Sequence, residues 1–136
     1  MIRLLEQKDY LKYYKLINEF RKTDFSYNNF CNFINEKNIQ VWIIEDKDKD
    51  EIVGTGTLLF EQKLIHNFGI VAHIEDIVIS KNFRRQNYGK ILVENLLEKA
   101  KEKKCYKVIL NCDSEIEDFY NKCNFKSNGI QMSQYL

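Results

Sequence analysis

Apolar positions in the first third of the chain predict one short strand and two helices. Ile2 to Leu5 is an apolar run of strand length. Between Lys8 and Phe20 apolar residues recur at helical spacing, which predicts an amphipathic helix. Its predicted buried stripe consists of Leu11, Tyr14, Ile17 and Phe20. Ser26 suits the cap position of a second helix. The buried stripe of that helix is predicted at Phe30, Phe33 and Ile34.

The middle of the chain predicts three strands. Gln40 to Glu45 and Ile52 to Phe60 are rich in apolar residues, and the charged run Asp46 to Asp50 joins them as the turn of a hairpin. Gly54 and Gly56 interrupt the second of these strands, which indicates a bulge or a close approach of another chain segment. Ala72 to Ser80 predicts a third, strongly β-branched strand.

The second half of the chain alternates between helix and strand. Gly89 to Lys103 predicts an amphipathic helix, and Tyr106 to Cys112 predicts the strand after it. The helix has a predicted buried stripe of Leu92, Val93, Leu96, Leu97 and Ala100. A short helix ending near Lys122 and a last strand from Ile130 to Tyr135 complete the pattern. A strand–helix–strand crossover makes its two strands parallel, so the predicted fold is α+β, with a mixed sheet flanked by helices.

Length and charge narrow the classes of protein. A chain of 136 residues suits a single domain, expected over residues 1–136. Its 21 basic and 20 acidic residues nearly cancel, so we expect neither nucleic acid nor a membrane surface as partner. The apolar runs are far shorter than the ~20 residues of a membrane helix. The charged N-terminal segment does not resemble a signal peptide, and we expect a cytoplasmic protein.

The cysteines and histidines do not predict a metal site. Cys31, Cys105, Cys112 and Cys123 form no CxxC pair, and the chain has only two histidines. We expect no metal, and we expect thiols buried in a reducing compartment.

The segment between the third strand and the long helix is a candidate anion site. The first amides of a helix have no partner inside the helix and carry the positive end of its dipole. Arg84, Arg85 and Lys90 add positive charge, and Gly89 permits close approach of a ligand such as a pyrophosphate. An ordinary basic loop before an amphipathic helix fits this segment equally well. The glycine pattern is neither that of a Walker A loop nor that of a Rossmann fingerprint.

The same segment resembles the acetyl-CoA loop of the GNAT superfamily of N-acetyltransferases, which has the pattern [QR]-x-x-G-x-[GA]. Arg84 takes its first place and Gly89 its last, while Asn87 stands at the internal glycine. Asn suits that place because it adopts the left-handed conformation more readily than most residues.

Further blocks resemble one branch of that superfamily, the glucosamine 6-phosphate N-acetyltransferases of eukaryotes. The resemblance is close from about Phe60 to Met132. Its blocks are Lys63 to His66, His73 to Ile77, Cys105 to Lys107 and Phe119 to Cys123, followed by Gly129 and Met132. The resemblance implies the GNAT fold, with acetyl-CoA as cosubstrate and an amino-sugar phosphate as acceptor.

The resemblance also implies which residues bind acetyl-CoA. The backbone of Ile77, Val78 and Ile79 is expected to hold the pantetheine arm in the manner of an added strand. The pyrophosphate is expected at Arg84, Arg85, Gln86, Asn87, Tyr88, Gly89 and Lys90. Tyr120 is expected near the thioester sulfur as the general acid, and an aromatic packing residue is the alternative for its position.

The implied acceptor site centres on two adjacent carboxylates, Glu75 and Asp76, which are also expected to take part in catalysis. Regular alternation along a strand places Glu75 with Ile77 on one face and Ile74 with Asp76 on the other. Further residues expected at the sugar or its phosphate are Thr23, Lys63, Leu64, Ile65, His66, Ile77, Tyr106, Lys107 and Asn111. The family's direct transfer uses no acyl-enzyme, so the cysteines are not expected to act as nucleophiles.

Two departures from the family pattern concern the acceptor. Asn111 stands where an acidic residue is frequent, and the end of the chain lacks the arginine that contributes to phosphate binding in the family. The family is dimeric, with its active site completed across the interface, and we expect a homodimer here. Two alternatives stay open: a GNAT enzyme for a different amine, such as a polyamine or a peptide, and a domain that binds acetyl-CoA without catalysis.

Overall fold

The computed structural model describes residues 1–136 and contains one five-stranded sheet with helices on both faces. The strands are β1 (Ile2–Leu4), β2 (Ile39–Asp46), β3 (Glu51–Gln62), β4 (Ile70–Ile79) and β5 (Lys107–Ile109). The helices are α1 (Tyr10–Phe20), α2 (Tyr27–Ile34), α4 (Tyr88–Glu102) and α5 (Glu117–Asn121), and α3 (Ile65–Phe68) is a single turn in which His66, Asn67 and Phe68 have positive φ. The strands follow chain order, with β4 and β5 parallel and all other neighbours antiparallel. The predicted fold class, a mixed sheet flanked by helices, is confirmed.

Each face of the sheet has its own core. Helices α1 and α2 cover one face, where Leu16 and Phe30 pack with Ile43 and Val78. Helices α4 and α5 cover the other face, where Leu96 and Tyr120 pack in the larger cluster. The predicted stripe of α4 is confirmed, since four of its five members are buried and Leu97 packs against them. No helix combines the length and apolar character needed to cross a bilayer.

The stripe predicted for α1 is wrong. The helix buries Tyr13 and Leu16, whereas Leu11 is 76% exposed and Phe20 is 53% exposed. Successive steps of three residues each fall about 60° short of a full turn, so a run at strict period three winds around the helix. Leu11 and Phe20 therefore lie on different sides of α1, and only the middle of the run approaches the sheet.

Helix α2 begins as predicted. The Ser26 hydroxyl oxygen accepts a hydrogen bond from the backbone N–H of Asn29 at 3.0 Å, and the Asn29 side chain accepts one from the Ser26 N–H at 3.1 Å. Of the predicted stripe, Phe30 is buried while Phe33 is 43% exposed. This exposed ring belongs to a cavity described below.

The end of the chain differs from the prediction. Strand β5 comprises three residues instead of the seven predicted from Tyr106 to Cys112. The strand predicted from Ile130 to Tyr135 is wrong, because the chain after Asn121 forms no further helix or strand. Its large apolar side chains, including Ile130 and Met132 at 91% each, are exposed. A strand needs a partner for its backbone groups, and the single chain offers this segment none.

Candidate functional site

A bulge in β4 sets the geometry of the candidate site. Thr57 pairs with Glu75 and Thr55 pairs with Val78, so Gly56 alone lies opposite both Asp76 and Ile77. Asp76 has a left-handed backbone, with φ of 52°. A side chain at Gly56 would begin 2.6 Å from Ile77 Cδ1 and 2.9 Å from Leu96 Cδ1. Glycine is required there because these two side chains occupy the space.

Because of the bulge, the regular alternation of side chains predicted along β4 is wrong. Ile74 and Ile77 pack in the same cluster under α4, although regular alternation would put them on opposite faces. Asp76 instead lines a cavity on the α1 and α2 side of the sheet. Glu75 is half-buried and does not line that cavity. The bulge near Gly56 was predicted, but its extra residue lies on the neighbouring strand.

Strands β4 and β5 separate at the bulge. Their pairing ends at His73 and Ile109, which leaves one edge of β4 without a strand partner from Ile74 to Ile79. Continued in the same register, Asn111 would stand level with Glu75 across this opening. Free backbone groups along a strand edge fit an extended ligand that pairs as an added strand. The opening exposes the backbone edge of Ile77, Val78 and Ile79. Their predicted role in holding the pantetheine arm requires such a free edge.

The loop that leads into α4 presents free hydrogen-bond donors. None of the backbone N–H groups from Arg84 to Lys90 donates a hydrogen bond within the chain. Asn87 adopts the left-handed conformation, with φ of 67°, which confirms the sequence-based expectation for that place. Arg84 Nε donates to the carbonyl oxygen of Ile79 at 3.2 Å and so ties the loop to the end of β4. Unpaired amides at a helix N-terminus beside cationic side chains fit a pyrophosphate.

Tyr120 of α5 lies close to this loop. Its ring is 8% exposed and packs edge-on against Phe119, at 4.9 Å between ring centroids. The Phe119 ring in turn lies 3.3 Å from the position that a Cβ atom on Gly89 would take. Burial raises the pKa of Tyr120 above its ordinary value, and the neighbouring thiols Cys112 and Cys123 add to the rise.

The hydroxyl of Tyr120 makes no hydrogen bond within the chain. The completely enclosed side-chain polar atom that lacks a partner is Asn95 Oδ1, so the Tyr120 hydroxyl keeps contact with solvent. A neutral phenol with a raised pKa, buried at the ring and open at the oxygen, is suited to donate a proton. The unpartnered hydroxyl of Tyr120 fits the expected general acid. The buried, packed ring also fits the alternative, in which Tyr120 is an aromatic packing residue.

A cavity of about 400 Å³ opens on the other side of the sheet, between α1, α2 and the bulge. It has apolar, mostly aromatic walls with four polar or charged residues among them. It is lined by Tyr13, Ile17, Phe20, Arg21, Thr23, Phe25, Asn29, Phe30, Phe33 and Asp76. Burial and the charge of Asp76 raise the pKa of Tyr13 to about 12. The structure thus brings Asp76 and Thr23, two predicted acceptor residues, to one cavity.

Of the other predicted acceptor residues, Glu75, Ile77 and Asn111 belong to the opening beside the bulge. The rest form a separate group, which we call the far group: Lys63, Leu64, Ile65, His66, Tyr106 and Lys107. They lie around the start of β4, where the His66 and Tyr106 rings are 4.6 Å apart between centroids. At roughly 3.3 Å per strand residue, this end of β4 is about 20 Å from Asp76. Lys63 Nζ donates to Glu61 at 3.0 Å, and the same carboxylate lies 2.9 Å from His73 Nε2. The far group does not contact the cavity within one chain.

Sequence reasoning missed most of the cavity walls. Arg21 follows the end of α1 in a polar stretch, and nothing in its neighbourhood marks it as a binding residue. Tyr13 was missed because it is not a member of the buried stripe predicted for α1. Phe33 did carry a signal, because it was predicted to be apolar and facing inward and it lines the cavity. No group of three His, Cys, Asp or Glu side chains is arranged as metal ligands.

Comparison with known proteins agrees with this geometry. The chain matches the Acetyltransferase (GNAT) family over residues 4–125, and it belongs to that family. Members of the family use acetyl-CoA as cosubstrate.

Two curated relatives are named glucosamine 6-phosphate N-acetyltransferase. The relative from Arabidopsis thaliana is 41% identical over 95 residues, which are 70% of this chain and 64% of the relative. The relative from Candida albicans is 47% identical over 81 residues, which are 60% of this chain and 54% of the relative. The chain therefore spans less than two thirds of the length of these relatives.

A solved structure extends the similarity over nearly the whole chain. The crystal structure of glucosamine-6-phosphate N-acetyltransferase from Arabidopsis thaliana superposes with a TM-score of 0.92 at 34% identity. The match covers 99% of this chain and 97% of that one. The fold described above is thus that of a solved member of the family.

Proposed function

We propose that this chain transfers the acetyl group of acetyl-CoA to the amine of D-glucosamine 6-phosphate, giving the N-acetyl sugar phosphate and CoA. The observation that carries the proposal is the position of the β4 bulge. On one side of it lie the free edge of Ile77–Ile79 and the free amides of Arg84–Lys90, and on the other side Asp76 enters the cavity. The names of the relatives support the choice of acceptor.

The residues of the bulge end divide the work of binding. The amides from Arg84 to Lys90 hold the pyrophosphate, with Arg85 and Lys90 adding charge. The edge of Ile77–Ile79 holds the pantetheine arm. The carboxylate of Asp76 attracts and orients the amine of the acceptor, and Glu75 lies at the opening where the two substrates meet.

The bond-forming and bond-breaking steps involve the two substrates, Tyr120 as proton donor, and solvent as the acceptor and source of protons. The neutral amine nitrogen bonds to the acetyl carbon while the bond between that carbon and sulfur breaks. The nitrogen then gives up its surplus proton to solvent. Tyr120 donates a proton to the departing thiolate and regains one from solvent. A water molecule as the proton donor is the alternative to Tyr120.

We propose further that the chain acts as a homodimer in which the far group of one protomer serves the site of the other. Two observations support this. The far group lies about 20 Å from Asp76 in the same chain, too far to reach one hexosamine phosphate. Exposed apolar residues surround it and the C-terminal segment, including Leu64, Ile65 and Phe68 at 86%, 65% and 64% exposure. Neither nucleic acid nor a membrane is part of the proposal.

A second candidate is an N-acetyltransferase for an amine with an apolar body. The aromatic walls of the cavity favour it, because Phe20, Phe25 and Phe33 would contact such a ligand without polar partners. The deciding experiment measures CoA release from acetyl-CoA with glucosamine 6-phosphate, glucosamine, spermidine and tyramine in parallel. We expect turnover on the phosphosugar to exceed that on the other amines by at least about tenfold in kcat/KM. A preference for tyramine or spermidine would overturn the choice of acceptor.

A further inference from the structure

One cation lines the cavity, and it has no partner. Arg21 is the single basic residue among the cavity walls. Its backbone N–H donates to the Ile17 carbonyl oxygen at 2.9 Å, which fixes the chain at the end of α1, but its guanidinium group makes no hydrogen bond or ion pair. Arg3 shows the contrast, because its guanidinium is held by both Asp9 and Glu45 at distances of 2.7 to 3.2 Å. A free guanidinium at the edge of a cavity is available for a ligand.

The cavity also has a single anion, and the two charges do not pair with each other. Asp76 is the one acidic residue in the walls, and no ion pair joins it to Arg21. The charge pattern therefore fits a ligand with a cationic group at one end and an anionic group at the other.

The other candidate cations are out of reach within the chain. Lys63, His66 and Lys107 belong to the far group, about 20 Å along β4 from Asp76. The loop that carries Arg21 is fixed next to the cavity, because the N–H of Thr23 donates to Asn18 Oδ1 at 3.0 Å. The planar donors of a guanidinium match phosphate oxygens in pairs, which a lysine cannot do.

We infer that Arg21 binds the phosphate group of the acceptor and so determines the preference for a phosphorylated amine. The inference rests on the proposed function. The amine lies at Asp76 and the phosphate at Arg21, so the cavity of one chain contacts both ends of the sugar, and the partner protomer's far group adds to that site.

The test compares Arg21→Gln with Lys22→Gln, an adjacent exposed cation outside the cavity. Both variants are assayed as full chains with glucosamine 6-phosphate and with glucosamine. We expect Arg21→Gln to raise KM for the phosphosugar about tenfold or more, while kcat/KM for glucosamine stays within about twofold. Lys22→Gln should match the unaltered chain on both substrates, and Arg21→Lys should recover part of the loss. Inhibition by glucose 6-phosphate, which lacks the amine, should weaken in Arg21→Gln to the same degree.

Failure of the Arg21 assignment and failure of the proposed function give different results. If the unaltered chain turns over the phosphosugar and Arg21→Gln has the same KM, the assignment of Arg21 is overturned and the proposed function stands. If the unaltered chain does not turn over the phosphosugar at all, the proposed function is overturned, and the role of Arg21 with it. Equal losses on glucosamine and on the phosphosugar would also overturn the assignment, because a phosphate contact cannot act on a substrate without phosphate.

Discussion

The two ends of β4 carry most of the candidate site and differ in almost every respect. At the bulge end the strand is distorted, one edge is free, and Asp76 enters a cavity with aromatic walls. At the far end β4 pairs regularly with both β3 and β5. The charged side chains there are tied to each other, as Lys63 and His73 are to Glu61. The bulge end has a free strand edge and a cavity, which we propose to bind the substrates, whereas the far end is a regularly paired surface.

This difference shows which parts of the candidate site a single chain brings together. The elements that we propose to bind acetyl-CoA and the amine meet at the bulge, and the far group is separated from them. A group of residues that resembles a binding site by sequence but lies about 20 Å from the cavity needs a second protomer to be useful. The following predictions separate the two ends, beginning with the largest expected effect.

Replacing the tyrosine at each end should give different kinetic results. Tyr120→Phe should lower kcat about 100-fold with little change in KM for acetyl-CoA, because it removes a proton donor without removing packing. Tyr106→Phe, the matched change in the far group, should alter KM for the acceptor and leave kcat nearly unchanged. Because burial raises the pKa of Tyr120, kcat should begin to fall only at a pH above that at which an ordinary tyrosine ionises. Equal kcat values for Tyr120→Phe and the unaltered chain would assign the proton to a water.

Two glycine substitutions test the bulge itself. In Gly56→Ala the added Cβ would meet Ile77 and Leu96 below 3 Å, so we expect a shifted bulge and about tenfold weaker binding of acetyl-CoA. In Gly69→Ala the added Cβ would crowd the Tyr106 ring and the His66 carbonyl oxygen at the far end. Calorimetric titration should show acetyl-CoA affinity unchanged in that variant. Equal weakening in both variants would mean that the two ends are not independent.

Co-expression of two impaired chains tests whether the far group acts across an interface. One chain carries Asp76→Asn, and the other carries Lys63→Gln together with Lys107→Gln. Random pairing makes half of the dimers mixed, and each mixed dimer has one of two sites intact, so about one quarter of the unaltered activity should return. Activity no higher than the mean of the two separate variants would contradict a shared site.

The smallest expected effect is a change in the pKa of Tyr13, which lines the cavity. The pKa of Tyr13 is about 12, raised mainly by burial and further by the charge of Asp76. Asp76→Asn removes that charge and should lower the pKa of Tyr13, though not to its ordinary value, because the burial remains. Glu75→Gln should leave the pKa of Tyr13 as it is. NMR titration of tyrosine labelled at Cζ measures both, and a Tyr13 pKa indifferent to Asp76 would mean that the carboxylate does not face the cavity.

Local patterns were sufficient for much of the fold. The Ser26 cap, the stripe of α4 and the left-handed Asn87 depend on neighbouring residues, and all are confirmed. The predicted order of strands and helices is confirmed from β1 to α5, except that α3 was not predicted and the last predicted strand is absent. The family and its fold also followed from short blocks, because residues that bind a common cosubstrate keep their spacing.

What the sequence could not predict depends on contacts between distant segments. The buried side of α1 is decided by where the helix meets the sheet, and the bulge of β4 by Ile77 filling the space at Gly56. The last strand was predicted from an apolar run that has no partner strand in the chain. Arg21 lines the cavity only because α1 ends beside the bulge, and a single arginine in a polar loop carries no sign of that.

Hydrogen exchange with and without acetyl-CoA tests most directly whether the bulge end is the binding site. The amides from Arg84 to Lys90 lack partners in the chain, so they should exchange rapidly when the protein is free and slowly when acetyl-CoA is bound. Peptides that cover Ile77–Ile79 should also gain protection, while those that cover Lys63–His66 should not change. Protection confined to the far end, or spread equally over both ends, would contradict this account.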